Sequence, residues 1–447
     1  MSSRTAHLSL TLAALLAVGC TVLPTPANAA PQAMPEAVPV STASPDFDGD
    51  GKADLAVTLD DNEEWSQITV RYGSGTTATG LGSAGALLAR DLNGDGYTDL
   101  VAAHEDGAIG VLFGSASGLD ATAEASFGAS ATGADFSPRA LALVESPTPR
   151  LVLLSGRYDK PGKVVVYTLG SDGLPSAAPV VLRPGTGKMP SLGTTGSRYL
   201  ESLAAQGNRL FVGAPFTTVS GHKSAGAVVV LTFGTAGVTS VTRITQATSG
   251  VGGSAAKSHL FGYSVAARDG YLAVGSRGDR VGTVTHSGSV QLFRLTSTKV
   301  TPVRRITQAT SGVPGKAERG DLFGHAVALG TVCDGQAAVV VGGPGEAVAD
   351  GHEGDGSVWI IPLKTSSTCP ARQLWEGHGL PGVPTYDRLI GMDLAVLRDA
   401  GASADQVAIV GGGSYSEGPI GVLDVWSAQT LNSLASVEGF YDHPAGR

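Results

Sequence analysis

The sequence predicts an all-β fold, a seven-bladed β-propeller made of four-stranded antiparallel blades. Short Val-rich runs bounded by Gly and Asp recur along the chain and indicate many short strands joined by tight turns. One nonapeptide occurs twice, at 243–251 and at 305–313, which indicates an internal structural repeat. Helical periodicity is absent beyond the N-terminal segment, although 42% of the residues are hydrophobic.

The repeating unit has the same internal order in each copy. A strand leads through a turn to an apolar strand that ends in Gly, and a variable loop precedes a Gly-initiated third strand and a more polar fourth. One such meander cannot bury both of its faces alone, so we expect the units to pack radially. The clearest copies comprise 260–267, 271–275 and 288–293, and then 322–328, 338–344 and 356–361.

The chain begins with a predicted export signal, residues 1–29. An apolar run from Leu8 to Val18 is too short to span a bilayer and is followed by small residues. We therefore expect a secreted protein, with lipid anchoring at Cys20 as the alternative. A flexible leader at 30–44 precedes the propeller at 45–440, and 441–447 form a tail. The predicted blades are 38–83, 84–130, 137–190, 197–248, 258–310, 320–378 and 387–440.

The charge balance narrows the possible partners. The formal net charge is −9, and only 15% of the residues are charged. Nucleic-acid binding needs a basic face, so we expect no nucleic-acid partner. No segment after Val18 is long and apolar enough for a transmembrane helix. We expect a soluble monomer.

Two nine-residue acidic loops have the spacing of a calcium site. The first reads D-x-D-x-D-G-x-x-D and the second D-x-N-x-D-G-x-x-D, and oxygen ligands in this pattern suit a hard cation such as Ca²⁺. Gly at position six permits the positive φ that bends the chain around an ion. The predicted ligands are Asp46, Asp48, Asp50, Lys52 (through its carbonyl) and Asp54, then Asp91, Asn93, Asp95, Tyr97 (through its carbonyl) and Asp99.

These loops differ from an EF-hand. Position twelve is Val57 in one loop and Ala102 in the other, where an EF-hand has Glu, and a β-like run follows directly. We therefore place the loops between the first and second strands of two blades and expect the calcium to be structural. The alternative is an Asp/Gly-rich hairpin without an ion.

The repeat resembles the FG-GAP repeat of integrin α-subunit propellers and their bacterial secreted relatives. Leu260-Phe261-Gly262 and Leu322-Phe323-Gly324 match its first half, and Val212-Gly213-Ala214-Pro215 matches its second. No single unit carries Phe-Gly, the acidic loop and Gly-Ala-Pro together. The resemblance implies calcium in the acidic loops and partner binding on the opposite face of the propeller.

Two cysteines remain outside the export signal, Cys333 and Cys369. An exported chain lies in an oxidising compartment, where a pair of cysteines indicates one disulfide. Cys333 falls in a first–second loop and Cys369 in a third–fourth loop of the same unit, which places both on one face. We predict a Cys333–Cys369 bridge, with two buried thiols as the alternative.

The function predicted is a non-catalytic adhesion or interaction module that binds an extracellular protein or glycan. No zinc-type His spacing and no G-x-S-x-G motif occurs, so no catalytic residue is expected. A lectin-like propeller, or less readily a hydrolase or lyase acting on polysaccharide or lipid, stays an alternative. Candidates for ligand contact on the variable-loop face are Tyr158, Phe216, His222, His286, His352 and Tyr415.

Overall fold

The protein is a β-propeller of four-stranded antiparallel blades, as the sequence predicts. No α-helix occurs in the described part of the chain, whose single helical turn is a 3-10 turn at Ala121–Ala123. The computed structural model describes residues 44–60, 66–104, 106–128, 138–156, 162–192, 200–332, 335–348, 354–364, 369–380, 384, 388–412 and 417–424.

The strands follow one another as short apolar segments separated by Gly- and Asp-rich turns. The first fifteen are β1 (Leu55–Asp60), β2 (Ser66–Arg71), β3 (Thr77–Ala78), β4 (Ala86–Arg90), β5 (Asp99–Ala103), β6 (Ile109–Leu112), β7 (Ala125–Phe127), β8 (Pro138–Val144), β9 (Arg150–Ser155), β10 (Lys163–Thr168), β11 (Val180–Leu182), β12 (Ser202–Gln206), β13 (Arg209–Ala214), β14 (Ala227–Gly234) and β15 (Gly237–Ile244). The others are β16 (Ser264–Arg268), β17 (Tyr271–Ser276), β18 (Ser289–Leu295), β19 (Val300–Ile306), β20 (Ala326–Val332), β21 (Gln336–Gly343), β22 (Ser357–Pro362), β23 (Arg372–Glu376), β24 (Gly379–Leu380), β25 (Asp393–Leu397), β26 (Gln406–Gly412) and β27 (Glu417–Asp424).

Consecutive strands pair into sheets, and nearly every pairing is antiparallel. The described strands form seven sheets: β1–β3, β4–β7, β8–β11, β12–β15, β16–β19, β20–β24 and β25–β27. The pairing of β23 with β24 is parallel.

The sequence predicts seven blades, whereas six are recognised. The difference lies in the innermost strands. Six successive inner strands, β4, β8, β12, β16, β20 and β25, each lie beside the next. The sheet β1–β3 starts with a strand in the second-strand position, and the inner strand expected before it would fall ahead of Ser44, outside the described residues.

The hydrophobic core is distributed between the blades. Six apolar clusters are found in the described residues, and each contains residues from two consecutive sheets. In one of them, Phe323 and Trp359 pack edge to face with ring centroids 5.0 Å apart. Because each meander buries a face against its neighbour, removing one blade would expose apolar surface on two others.

Two Phe-Gly segments, 261–262 and 323–324, each join their own unit to the preceding one through the backbone. Phe323 is fully buried and donates its N–H to the carbonyl of Ser287 in the preceding blade at 3.1 Å. A Cβ on Gly288 would lie 2.0 Å from the Phe323 carbonyl oxygen, and one on Gly275 would lie 2.1 Å from the oxygen of Gly324. Glycine is therefore required where the next blade approaches closest.

The first described residues contact the last blade. Ser44 N donates to Arg398 O at 2.8 Å, and Arg398 N donates to Ser44 O at 3.0 Å. Ala53 N also donates to Asp399 Oδ1 at 2.8 Å. These bonds join the two ends of the described chain and close the circle of blades.

A search of the described residues for a helix of the length and apolarity needed to cross a membrane finds none.

Candidate metal sites

The first acidic loop brings three carboxylates together. Oxygen atoms of Asp46, Asp48 and Asp50 all lie within 4.8 Å of one another. Asp46 is buried, Asp48 is half-buried and Asp50 is exposed, so the cluster lies at the protein surface. Three carboxylate oxygens at this separation are an arrangement that can hold a hard divalent cation.

Asp46 shapes the loop through both of its oxygens. Its Oδ1 accepts from Gly49 N at 2.7 Å, and its Oδ2 accepts from Gly51 N at 3.1 Å. Gly49 and Gly51 have φ of 72° and 84°, a conformation that disfavours side chains with a Cβ. The turn also uses Asp50, whose Oδ1 accepts from Lys52 N at 2.8 Å. The predicted bend at position six is thus confirmed in the backbone.

Asp54, at position nine, lies outside the three-carboxylate cluster. Its Oδ2 accepts from Phe47 N at 2.5 Å, and its Oδ1 accepts from Gly73 N at 2.7 Å. Burial raises the pKa of this carboxyl to about 7, and repulsion from Asp48 and Asp46 acts in the same direction. Asp54 therefore closes the loop onto the backbone of the following hairpin, and each oxygen has a lone pair left for an ion.

The second acidic loop has the same hydrogen bonds. Asp91 Oδ1 accepts from Gly94 N at 2.6 Å, and Asp91 Oδ2 accepts from Gly96 N at 3.1 Å. Asp99 accepts from Leu92 N at 2.7 Å and from a second backbone amide, that of Gly114, at 3.0 Å. Burial likewise raises the pKa of Asp99 to about 7. This loop lies between β4 and β5, in the first–second position that the sequence predicts.

The second loop has one fewer carboxylate at its centre. Asn93 stands where the first loop has Asp48, and its Nδ2 donates to Asp95 Oδ2 at 2.9 Å. Asp95 Oδ1 accepts from Tyr97 N at 2.9 Å. Because the second loop carries less negative charge, its carboxylates repel one another less. We therefore expect it to bind a divalent cation more weakly than the first loop.

The two loops are in direct contact. Asp46 N donates to Thr98 Oγ1 at 2.9 Å, and Thr98 N donates to Asp46 O at 2.8 Å. A Cβ on Gly49 would lie 2.7 Å from the ring of Tyr97. An ion that orders the first loop would thus act on the second, and through Asp399 on the last blade.

Cys369 is fully buried and disulfide-bonded, while Cys333 lies outside the described residues. Val332, the residue before Cys333, lies in the same apolar cluster as Cys369. Cys369 follows β22 and precedes β23, the third–fourth position expected for it. The pairing with Cys333 stays a prediction.

Three of the six candidate ligand-contact residues lie in the described part of the chain. Phe216 is half-buried after β13, His222 is exposed in the β13–β14 loop, and His286 is exposed in the β17–β18 loop with φ of 56°. Val219 and His222 exchange backbone hydrogen bonds of 3.1 and 2.9 Å, so this loop has a defined conformation. Tyr158, His352 and Tyr415 lie outside the described residues.

Sequence reasoning missed a buried polar cluster in the fifth and sixth units, the sheets β16–β19 and β20–β24 with the segments that lead into them. In the first of these, Asp279 is bound by Arg305, His259 and Gln246. The signal was present in the repeated nonapeptide, where Gln246 recurs as Gln308. A glutamine that recurs at the same position of an internal repeat is consistent with a buried hydrogen-bonding role.

No protein-family model and no curated protein matches this chain. Among solved structures, it is similar to two crystal structures of BBS1N in complex with ARL6DN. The one soaked with lead has 12% sequence identity and a TM-score of 0.43, covering 82% of this chain and 86% of that chain. The one soaked with mercury has 12% identity and a TM-score of 0.46, covering 83% and 90%. At this identity and TM-score, neither likeness assigns a family or a function to this chain.

Proposed function

We propose that the protein is a secreted seven-bladed propeller of the FG-GAP type whose two acidic loops bind structural calcium. It acts as a non-catalytic interaction or adhesion module for an extracellular protein or glycan. The observation that carries the proposal is the cluster formed by Asp46, Asp48 and Asp50, with oxygens within 4.8 Å of one another on a loop of defined backbone.

The chemistry of the first loop favours calcium. Carboxylate oxygens are the ligands that Ca²⁺ prefers, and the ion accepts six to eight of them in a flexible geometry. Without a cation, the three carboxylates repel one another, and burial of Asp46 and Asp54 adds to the cost. Calcium would stabilise the folded chain by mass action, since the unfolded chain has no preformed site.

A structural role follows from the position of the loop. The loop bonds to Asp399 on one side and to Thr98 on the other, so it lies where the circle of blades closes. The contact between the segment that leads into β1 and the last sheet supports a seventh blade built on β1–β3. The backbone contacts made by Phe261-Gly262 and Phe323-Gly324 support the FG-GAP assignment.

The loops opposite the calcium sites are the proposed interaction surface. They connect second strands to third strands, as in the loop that carries His222 and the loop that carries His286. Defined loops on a rigid scaffold are where binding residues concentrate in many folds. A panel of immobilised extracellular proteins and glycans, probed in calcium, would identify the partner class.

Calorimetric titration of the metal-free protein with Ca²⁺ tests the proposal. We expect two binding events, and Asp50→Asn should weaken the tighter one by about tenfold or more, because it removes one charged ligand. Asp50 is exposed, so the substitution leaves the core unchanged. Asp106→Asn, in the exposed turn between β5 and β6 at the end of β5 away from the acidic loop, is the matched control. Absent calcium binding, or equal affinity in the Asp50 variant and wild type, would contradict the proposal.

A further inference from the structure

The fifth unit buries a carboxylate that is fully neutralised by its own blade. Asp279 is 1% exposed, and its Oδ2 accepts from Arg305 Nε at 3.0 Å and from Arg305 Nη2 at 2.9 Å. His259 Nδ1 lies 3.1 Å from Asp279 Oδ1 and 3.2 Å from Gln246 Oε1. Since both neighbours of Nδ1 are acceptors, this nitrogen carries the proton. Every buried polar group of the cluster thereby has a partner.

The sixth unit repeats the cluster without its cation. Gln308 replaces Gln246 through the identical nonapeptide, Asp321 stands in the place of His259, and Glu346 in that of Asp279. Gln373 pairs with Trp359 in the strand register where Arg305 pairs with Gln291. The repeat thus exchanges one guanidinium and one imidazole for a carboxamide and a second carboxylate.

The exchange leaves two buried carboxylates unbalanced. Asp321 and Glu346 are 2% and 5% exposed, and no salt bridge within the described chain reaches either of them. Among the described residues, Glu346 accepts only from amides, Gln308 Nε2 at 2.8 Å and Gln373 Nε2 at 3.0 Å. Gln308 is itself 3% exposed, and its Oε1 has no hydrogen-bond partner in the described part of the chain. In the fifth unit, the imidazole of His259 satisfies the corresponding oxygen.

A cavity lies where the missing cation would be. It measures about 220 Å³ and is lined by Glu346, Gln373, Glu318, Lys316 and Trp375. Glu318 and Lys316 are exposed at its mouth and oppose each other in charge, so Glu346 and the neighbouring Asp321 are the carboxyl groups that would ionise to balance a bound cation. One face of the Trp375 indole stacks on the His378 ring, with centroids 4.0 Å apart, so a planar cation can stack only on the other face.

We propose that this cavity binds the guanidinium group of an arginine side chain presented by a partner. The guanidinium would take the place that Arg305 fills internally in the preceding unit, with its donors directed at Glu346. An arginine suits the site better than a lysine because its fork matches a carboxylate bidentately and its plane stacks on indole. The inference deepens the proposed interaction role, since it names the chemistry that one loop of that surface recognises.

Binding of an acetylated and amidated arginine peptide, followed by calorimetry and by tryptophan fluorescence, tests this site. We expect saturable binding to the calcium-loaded protein and loss of at least about tenfold in affinity when arginine is replaced by the neutral isostere citrulline. Glu346→Gln should weaken binding by a similar factor. Gln373→Arg should abolish it, because the new side chain restores the internal ion pair of the fifth unit.

The controls separate this site from the calcium loops. Gln373→Arg should fold at least as well as the wild type, so lost binding in that variant cannot reflect unfolding. Equal affinity for the arginine and citrulline peptides, or wild-type affinity in the Gln373 variant, would overturn the inference. So would a calcium-binding event that Glu346→Gln removes, since the missing cation would then be a metal. None of these results bears on Asp50 and calcium, so the two proposals can fail separately.

Discussion

Asp46 uses one carboxylate to shape a turn while keeping lone pairs for an ion. Its two oxygens accept from Gly49 N and Gly51 N, and each carboxylate oxygen has about two acceptor sites. The sequence predicts this clustering because the spacing and the glycines together specify the bend. It does not reveal that Asp54 and Asp99 also bind backbone amides beyond their own loops, because these donors, Gly73 and Gly114, lie in the turns after β2 and β6.

The carboxylates of the sixth unit should make stability depend on pH. Burial raises the pKa of Glu346 to about 8, with repulsion from Asp321 adding to it, and burial raises the pKa of Asp321 to about 7. Between their ordinary values near 4 and these values, the folded state binds more protons than the unfolded state. The free energy of unfolding therefore falls as pH rises through this window.

Glu346→Gln should lessen that fall. A difference of one pKa unit between the folded and unfolded states corresponds to about 1.4 kcal/mol of unfolding free energy. Because the variant lacks this carboxyl group, it should be more stable than the wild type above about pH 7. Thermal melts of both proteins from pH 5 to about pH 8.5, with calcium saturating throughout, measure the effect. Asp106→Asn, in an exposed turn, should follow the wild-type curve. Parallel curves for the Glu346 variant and wild type would show that this carboxylate is not buried in its charged form.

At the scale of the structural element, the Phe-Gly segment acts as a backbone joint between blades. Sequence repetition predicts the strands on either side of each Phe-Gly segment, and these strands are found. The partner of each Phe-Gly could not be predicted from the motif, because Gly324 meets Gly275 of the preceding blade. The blade count also differs from the prediction, because seven repeating units are read in the sequence and six blades are recognised.

Gly275→Ala should separate two adjacent blades. Its Cβ would lie 2.1 Å from a backbone oxygen that cannot move without shifting the Phe-Gly segment. We expect a loss of about 2–3 kcal/mol in unfolding free energy, which is typical of overpacking. Gly156→Ala is the matched control, because its nearest non-local atom would be 3.6 Å from the new Cβ. Denaturant unfolding compares the two, and equal midpoints would argue against the joint.

At the scale of the whole molecule, closure of the circle is the step that repetition alone does not predict. The repeats indicate that blades follow in order, and the six apolar clusters between consecutive sheets confirm it. The bond from Ala53 to Asp399 joins residues 346 positions apart, outside any repeat period. The sequence shows an acidic stretch at Asp399 and Asp405 but not that Asp399 holds the first acidic loop.

Removal of the Asp399 side chain should open this closure. Its Oδ1 accepts from Ala53 N, and its Oδ2 accepts from Gln406 Nε2 at 3.0 Å. Asp399→Ala should cost about 1–3 kcal/mol, as expected when partners of a charged acceptor are left unsatisfied. Hydrogen exchange should accelerate at Ala53 and its neighbours, while amides of β13 and β17 keep wild-type protection. Unchanged exchange at Ala53 would mean that closure does not depend on this contact.

We predict that a divalent ion bound in the first acidic loop stabilises that loop and, through it, the closed circle of blades. Thermal unfolding in calcium and in excess chelator tests this most directly. At calcium about a hundredfold above the dissociation constant, we predict stabilisation of about 2.7 kcal/mol per site, seen as a melting temperature several degrees higher than in chelator, and Asp50→Asn should reduce the difference. Identical melting curves in calcium and in chelator would contradict it.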